Sequence, residues 1–328
     1  MKRREFLGIA GGLIVAPALA RFAHGEGAAP VVGFLHPGSS VAHADLVAAF
    51  TDGLEEAGFI DGQNVALAYQ WANDDTGRLP ALATELTHSE LAVLAAVGHD
   101  AIVAAKTATS TIPIVFIGAE DPIKTGLVAS LAQPGGNLTG VDVTTSELPG
   151  KRLEMLRTLV TTATRVGLLV NPTELVRTEA NVSAAETAAQ TLGMQIRVLI
   201  ASTSDDIDAA FETIAKEQLH ALVADLSPFF TGWYVQLGNL ASHYAVPTIC
   251  GTRLYPEIGG LMSYGASLAD AYHQAGAFAG RILKGEKPAQ MPVAEPTKFE
   301  LVLNIKTAKR LGLEVPPAML AQATKIIQ

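Results

Sequence analysis

Short, wholly apolar runs separated by amphipathic stretches set the pattern of this chain. Val31–His36, Leu91–Val97 and Pro113–Gly118 are continuous runs of buried-strand character, and Val65–Trp71 alternates as a strand. Between them Val47, Phe50 and Leu54 share one helical face closed by Gly58, Leu79–Leu86 is helical, and Ala101–Thr109 predicts an Ala-rich helix. Asp121-Pro122 predicts another helix start, with Asp as cap and Pro in the first turn. The pattern then repeats. Arg165–Asn171, Gln195–Ala201, Ala221–Leu226 and Pro247–Cys250 read as strands, with helices over Glu174–Leu192, Asp205–Gln218 and Phe230–Tyr244. Ser227-Pro228 is a second cap followed by proline, and Ser267-Leu268-Ala269-Asp270 predicts a capping box opening a helix that runs to Lys284.

Strands this apolar, alternating with helices, form parallel sheets covered on both faces. Two units of about four strands each predict an α/β chain of two doubly wound parallel-sheet lobes joined by a hinge. The expected division gives residues 30–142 plus about 262–290 to the first lobe, and 143–261 plus about 291–328 to the second. Gln133–Asn137 and Gly259–Gly265, both Gly-rich, are the candidate crossings.

The first twenty residues read differently. Lys2-Arg3-Arg4-Glu5-Phe6-Leu7-Gly8 precedes an apolar stretch, Ile9–Ala20, that ends in Ala18-Leu19-Ala20. A basic start, a short apolar run and small residues at its end predict a cleaved export signal, and the paired arginines point to the twin-arginine type. The stretch is shorter than the roughly 20 residues of a membrane span, and Gly11, Gly12 and Pro17 interrupt it. No cysteine stands near the cleavage site to carry a lipid. The expected product is a free periplasmic protein, a monomer.

Composition narrows the function. Of 328 residues 49% are hydrophobic and 17% charged, enough apolar surface for a large core. The formal net charge is −9, and the signal region removes three basic residues and one acidic one, so the remainder is more acidic still. An acidic chain without basic runs does not suit nucleic acid or an anionic membrane. Cys250, the single cysteine, follows Pro247-Thr248-Ile249 and reads as a buried core thiol.

The search for catalytic motifs is largely negative. Ser263-Tyr264-Gly265 lacks the first glycine of a nucleophile elbow, and Gly150-Lys151-Arg152 is no phosphate-binding loop. Gly25-Glu26-Gly27 follows no strand, so no dinucleotide cofactor is expected. His36, His43 and His99 have no carboxylate or thiol to complete a metal set.

A doubly wound sheet binds ligands outside the carboxyl ends of its strands. That position nominates Ser39 and Ser40 after the first strand, His99 after the third and Glu120 after the fourth. In the second lobe it nominates Asn171, Asp225, Ser227 and Arg253. Serine hydroxyls and helix N–H groups suit an anionic end, Glu120 or Asp225 an ammonium, and Arg253 a carboxylate held by two hydrogen bonds. Ser40 and Ser227 also fit as helix caps, Asn171 as a turn residue and Arg253 as an exposed charge.

Asp121-Pro122-Ile123-Lys124-Thr125-Gly126-Leu127-Val128-Ala129-Ser130-Leu131-Ala132-Gln133-Pro134-Gly135-Gly136-Asn137-Leu138-Thr139-Gly140 closely resembles a signature of the tryptophan/tyrosine-type substrate-binding proteins of ABC transporters. Gly259–Gly265 with Leu268-Ala269-Asp270-Ala271-Tyr272, and Pro296–Asn304, resemble two more landmarks of that family in the same order. The likeness runs from about Val31 to the C-terminus. It implies a type I periplasmic-binding fold and delivery of a small solute, an amino acid or related carboxylate, to a permease–ATPase complex. Gly98-His99-Asp100 and Gly251-Thr252-Arg253-Leu254-Tyr255 depart from the family's usual loops, so the aromatic class of ligand does not follow from the resemblance. Two other readings stand beside transport: the ligand-binding subunit of a periplasmic sensory system, and a hydrolase using the cleft.

Overall fold

The computed structural model describes residues 29–118, 121–143, 148–173 and 175–328. The expected export signal and Glu120 lie outside them. The first sheet is built from β1 (Val31–His36), α1 (Ala44–Glu56), β2 (Ala66–Trp71), α2 (Leu79–His88), β3 (Leu91–Val97), α3 (His99–Ala108), β4 (Ile114–Ile117) and β5 (Leu138–Val141). Its five parallel strands stand in the order β2-β1-β3-β4-β5. Val32, Phe34, Val93 and Ala95 face one core, while Leu35, Leu94 and Ala96 face the other. Both faces are therefore covered, which is why these strands read as continuous apolar runs.

The second unit begins with α4 (Leu148–Leu159), β6 (Arg165–Val170), α5 (Leu175–Thr191), β7 (Gln195–Ile200), α6 (Ser204–Lys216) and β8 (Ala221–Ala224). It continues through α7 (Pro228–Gly232), α8 (Tyr234–His243), β9 (Thr248–Cys250), α9 (Leu254–Glu257) and β10 (Met262–Ala266). α10 (Leu268–Leu283) then returns to the first lobe and packs along α1. β11 (Phe299–Asn304), α11 (Ile305–Arg310), α12 (Pro317–Gln322) and β12 (Lys325–Ile327) complete a seven-stranded sheet ordered β12-β11-β10-β9-β8-β6-β7. Among the described residues no helix is long and apolar enough to cross a membrane.

The crossings fix how the lobes face each other. The chain leaves the first lobe from the carboxyl end of β5 and leaves the second from the carboxyl end of β10. It re-enters the second lobe at Phe299, which pairs with Ala266 at that same edge. β11 must therefore run away from the crossing, antiparallel to β10. The carboxyl edges of both parallel sheets are thus turned toward the crossings, and so toward each other. α10 is held tightly to α1: a Cβ on Gly276 would lie 1.9 Å from Phe50 O, and one on Gly53 1.9 Å from His273 O. Only glycine permits that approach.

Several local expectations change. Met262–Ala266 is a strand of the second sheet, so the stretch expected in the first lobe from about 262 begins instead at Ser267. Met291 and Ala294 are bonded to Thr139, Gly140 and Val141 of β5, so 291–294 stays with the first lobe. Gln133–Asn137 precedes β5 and lies within that lobe rather than between lobes. The sheets hold five and seven strands, not four each, because β5 and β10–β12 are too short or too mixed to stand out. Residues 121–127 form turns, not a helix: Asp121 takes φ +32°, and its carboxylate accepts from Lys124 N at 3.1 Å. Trp233 breaks the stretch Phe230–Tyr244 into α7 and α8. Ser267 caps α10 through Asp270 N at 3.4 Å, but the Asp270 carboxylate turns to Lys298 and Gln274, so the box is one-sided. The reciprocal box is at Thr203 and Asp206, opening α6.

Candidate functional site

Strand order selects two points along the facing edges. The order reverses between β1 and β3 in the first sheet and between β6 and β8 in the second. At such a switch point the flanking loops diverge and leave a crevice for a ligand. In the first lobe those loops carry His36–His43 and Gly98-His99; in the second they carry Asn171 and Asp225–Ser227.

Asn171, Asp225 and Ser227 are brought together as a buried polar group, 4%, 3% and 1% exposed. Asn171 Nδ2 donates to Ser227 Oγ at 3.4 Å, and Asn171 Oδ1 accepts from Thr173 N and Oγ1 at 3.1 and 2.9 Å. Asp225 Oδ1 accepts from Asn181 Nδ2 at 2.8 Å and from Leu226 N at 2.7 Å. Ser227 caps α7, accepting from Phe229 N at 3.2 Å, with Pro228 at the first helical position. Among the described ion pairs Asp225 has no cation. A buried carboxylate held by neutral donors is costly unless a cation completes it.

Across the crossing, Gly98 takes φ +76° and launches α3 with His99 as its first residue. The His99 Nδ1 atom is buried with no hydrogen-bond partner among the described residues. The N–H groups of the first turn of α3 have no acceptor within the helix and favour negative charge nearby. Ser39 is half-buried and Ser40 exposed, on a loop pinned by His43 Nδ1, which donates to Ser39 O at 3.1 Å.

That loop rests on His36, which the sequence presents only as a possible metal ligand. His36 Nδ1 accepts from Gly38 N at 2.9 Å, so the ring proton sits on Nε2 and donates to Tyr272 Oη at 3.0 Å. Its ring lies 4.2 Å from His43 and 5.0 Å from Trp71. Burial, with the His43 charge second, pushes the His36 pKa down to about 3, so the ring is neutral. Trp71, half-buried at the carboxyl end of β2, and His43 give this side of the edge an aromatic wall. The signal was present, since His36 and Trp71 are the final residues of adjacent strands. Asn181, one face of α5 away, left no such mark.

Arg253 is not drawn into either group. It is exposed beyond β9, its Nε donates to Glu257 Oε1 at 2.9 Å, and Nη1 lies 4.0 Å from Glu300 Oε2. Hydrogen bonding to Lys325 and Arg253, against the opposing effect of burial, holds the Glu257 carboxyl below its usual range. Cys250 is fully buried, and burial pushes its thiol up and out of reactivity.

Two doubly wound lobes facing each other across three crossings, with polar groups at both switch points, define the type I periplasmic binding protein fold. The model of the family described as ABC transporter substrate binding protein matches residues 33–327, and the chain belongs to that family. A tyrosine-binding protein of Clostridioides difficile (strain R20291) is 25% identical over 265 residues, 81% of this chain and 76% of its own length. A Streptococcus pneumonia structure in complex with L-Trp superposes with a TM-score of 0.82 at 22% identity, covering 92% of this chain and all of the other. The ligand-free, open structure of a substrate-binding protein with adhesive properties from Clostridium difficile gives 0.75 at 24%, covering 91% and 99%.

Proposed function

We propose that this chain is an exported receptor that captures an amino acid between its lobes and delivers it to an ABC permease–ATPase complex. The carrying observation is Asp225: a carboxylate 3% exposed at the switch point of the second sheet, with no cation among the described ion pairs. A ligand ammonium completes it. The ligand carboxylate then falls to the first lobe, where the N-terminus of α3, His99 Nδ1 and the Ser39 and Ser40 loop offer donors. Asn171 and Ser227 orient the polar end from the second lobe, and the wall of Trp71 and His43 suits a flat side chain. The tyrosine and L-Trp of the two relatives support that side-chain class. Arg253 clamps the ligand carboxylate if the ligand displaces Glu300, and Glu120, outside the described residues, is the other expected partner of an ammonium. The family's role as a substrate-binding protein supports a receptor that binds and releases its ligand unchanged. The twin-arginine pattern of the first residues supports work in the periplasm, and the receptor acts there as a monomer.

Calorimetric titration with L-tyrosine, L-tryptophan and their deaminated acids tests the reading. The amino acids bind, and loss of the ammonium weakens binding by about 2 kcal/mol or more, roughly thirtyfold. Equal affinity for the deaminated acids would remove Asp225 from its role. Absence of binding by any amino acid would remove the ligand class.

A further inference from the structure

A second recessed surface lies at the far pole of the larger lobe. β11 runs away from the crossings, so Asn304 at its end stands about 17 Å from Phe299, taking ~3.4 Å per residue. There Gly259, Asn304, Lys306, Lys309 and Arg310 line a shallow cavity of about 520 Å³. Its floor is fixed by hydrogen bonds. Asn304 Nδ2 donates to Pro256 O at 2.9 Å, and Thr307 Oγ1 donates to Gly259 O at 2.8 Å. Arg310 Nη2 donates to Thr307 Oγ1 at 2.8 Å, which holds the guanidinium at the rim. Lys306, Lys309 and Arg310 fall three and four residues apart and so share one side of α11.

Positive charge gathers around this groove. Among the described ion pairs none of these three cations has a carboxylate partner, whereas Lys124, Arg197, Arg281 and Lys298 each do. Three uncompensated cations around one cavity, on a chain of net charge −9, concentrate positive potential at a single place.

We propose that this groove binds a phosphate-bearing anion. Two ammonium groups and a guanidinium supply donors for several oxygens of one group, a match for phosphate that a single carboxylate would leave half unused. The cavity has room for a phosphate ester beyond the bare ion. The source is either a soluble phosphate or the headgroup of a phospholipid, since both present the same chemistry. The groove lies on the edge opposite the cleft, so its occupancy is independent of the amino acid.

The test uses the full chain at low salt. Inorganic phosphate is titrated calorimetrically, and co-sedimentation is measured with phosphatidylglycerol and with phosphatidylcholine vesicles. Saturable binding of phosphate identifies a soluble ligand; binding to phosphatidylglycerol vesicles alone identifies a headgroup. The double variant Lys306→Gln/Lys309→Gln leaves the Arg310–Thr307–Gly259 frame in place and keeps the melting temperature. It weakens binding roughly tenfold or more, and added salt weakens it in the parent. No binding in either arm, equal binding to both vesicles, or binding that the double variant leaves intact would overturn the proposal.

Discussion

Replacing Asp225 by Asn changes a charge while keeping the local hydrogen bonds. The asparagine carbonyl can accept from Asn181 Nδ2 and Leu226 N as the carboxylate oxygen does now, at 2.8 and 2.7 Å. With the residue 3% exposed, a ligand ammonium there is largely desolvated and depends on the opposing charge. Truncating one side of such a pair costs about 2–5 kcal/mol, roughly a thirtyfold to several-thousandfold loss of affinity. The ligand-free protein responds in the opposite direction. It no longer buries a carboxylate without a cation, so its stability holds or rises by about 1 kcal/mol, worth about 1–2 °C in melting temperature for a chain of this size. Calorimetric titration with L-tyrosine or L-tryptophan, beside scanning calorimetry of the ligand-free variant, reads both effects. An affinity within about threefold of the parent would refute the reasoning. So would a ligand-free melting temperature several degrees lower, which would make Asp225 a structural anchor.

Two further predictions concern the first lobe. His36, ordinarily near 6.5 and pushed down to about 3 by burial, binds its proton only in the unfolded chain between those values. Stability therefore rises with pH across that window, by up to about 1.4 kcal/mol per pH unit, and is lost as pH falls toward 3. His36→Gln flattens that limb in melting curves taken from pH 4 to 7; an unchanged slope would assign the acid sensitivity elsewhere. Gly276→Ala forces a methyl to within 1.9 Å of Phe50 O. Overpacking of about 1–3 kcal/mol outweighs the helix-propensity gain of up to ~1 kcal/mol, so the melting temperature falls by a few degrees. A raised melting temperature would show that α1 and α10 separate freely.

Much of the fold was legible because the strands are buried on both faces. Val31–His36 and Leu91–Val97 match β1 and β3 end for end, since nothing polar interrupts them. Where pairing is long-range the reading failed: β10 belongs with the second lobe only because it pairs with β9 and β11, a fact no local pattern carries. Asp121-Pro122 has the chemistry of a helix start but stands on a turn, because capping residues serve turns equally well. The site divides along the same line. Position at strand ends was enough to nominate Asn171, Asp225 and Ser227, all buried at the ends of the adjacent strands β6 and β8, with Asn171 bonded to Ser227 and Asp225 to Asn181. The same rule nominated Arg253 as a carboxylate clamp without showing that Glu257, one turn on, and Glu300, from β11, already approach it. His36 was weighed only as a metal ligand; its part in the aromatic wall depends on Tyr272 of α10, 236 residues away.

The central claim is capture of an amino acid between the two lobes, and a crystal structure of the chain with bound L-tyrosine or L-tryptophan tests it most directly. The account predicts the ammonium within about 3 Å of Asp225 and the carboxylate at the His99 end of α3, with both lobes touching one molecule. A ligand held by one lobe alone, or seated away from the switch points of both sheets, would contradict it.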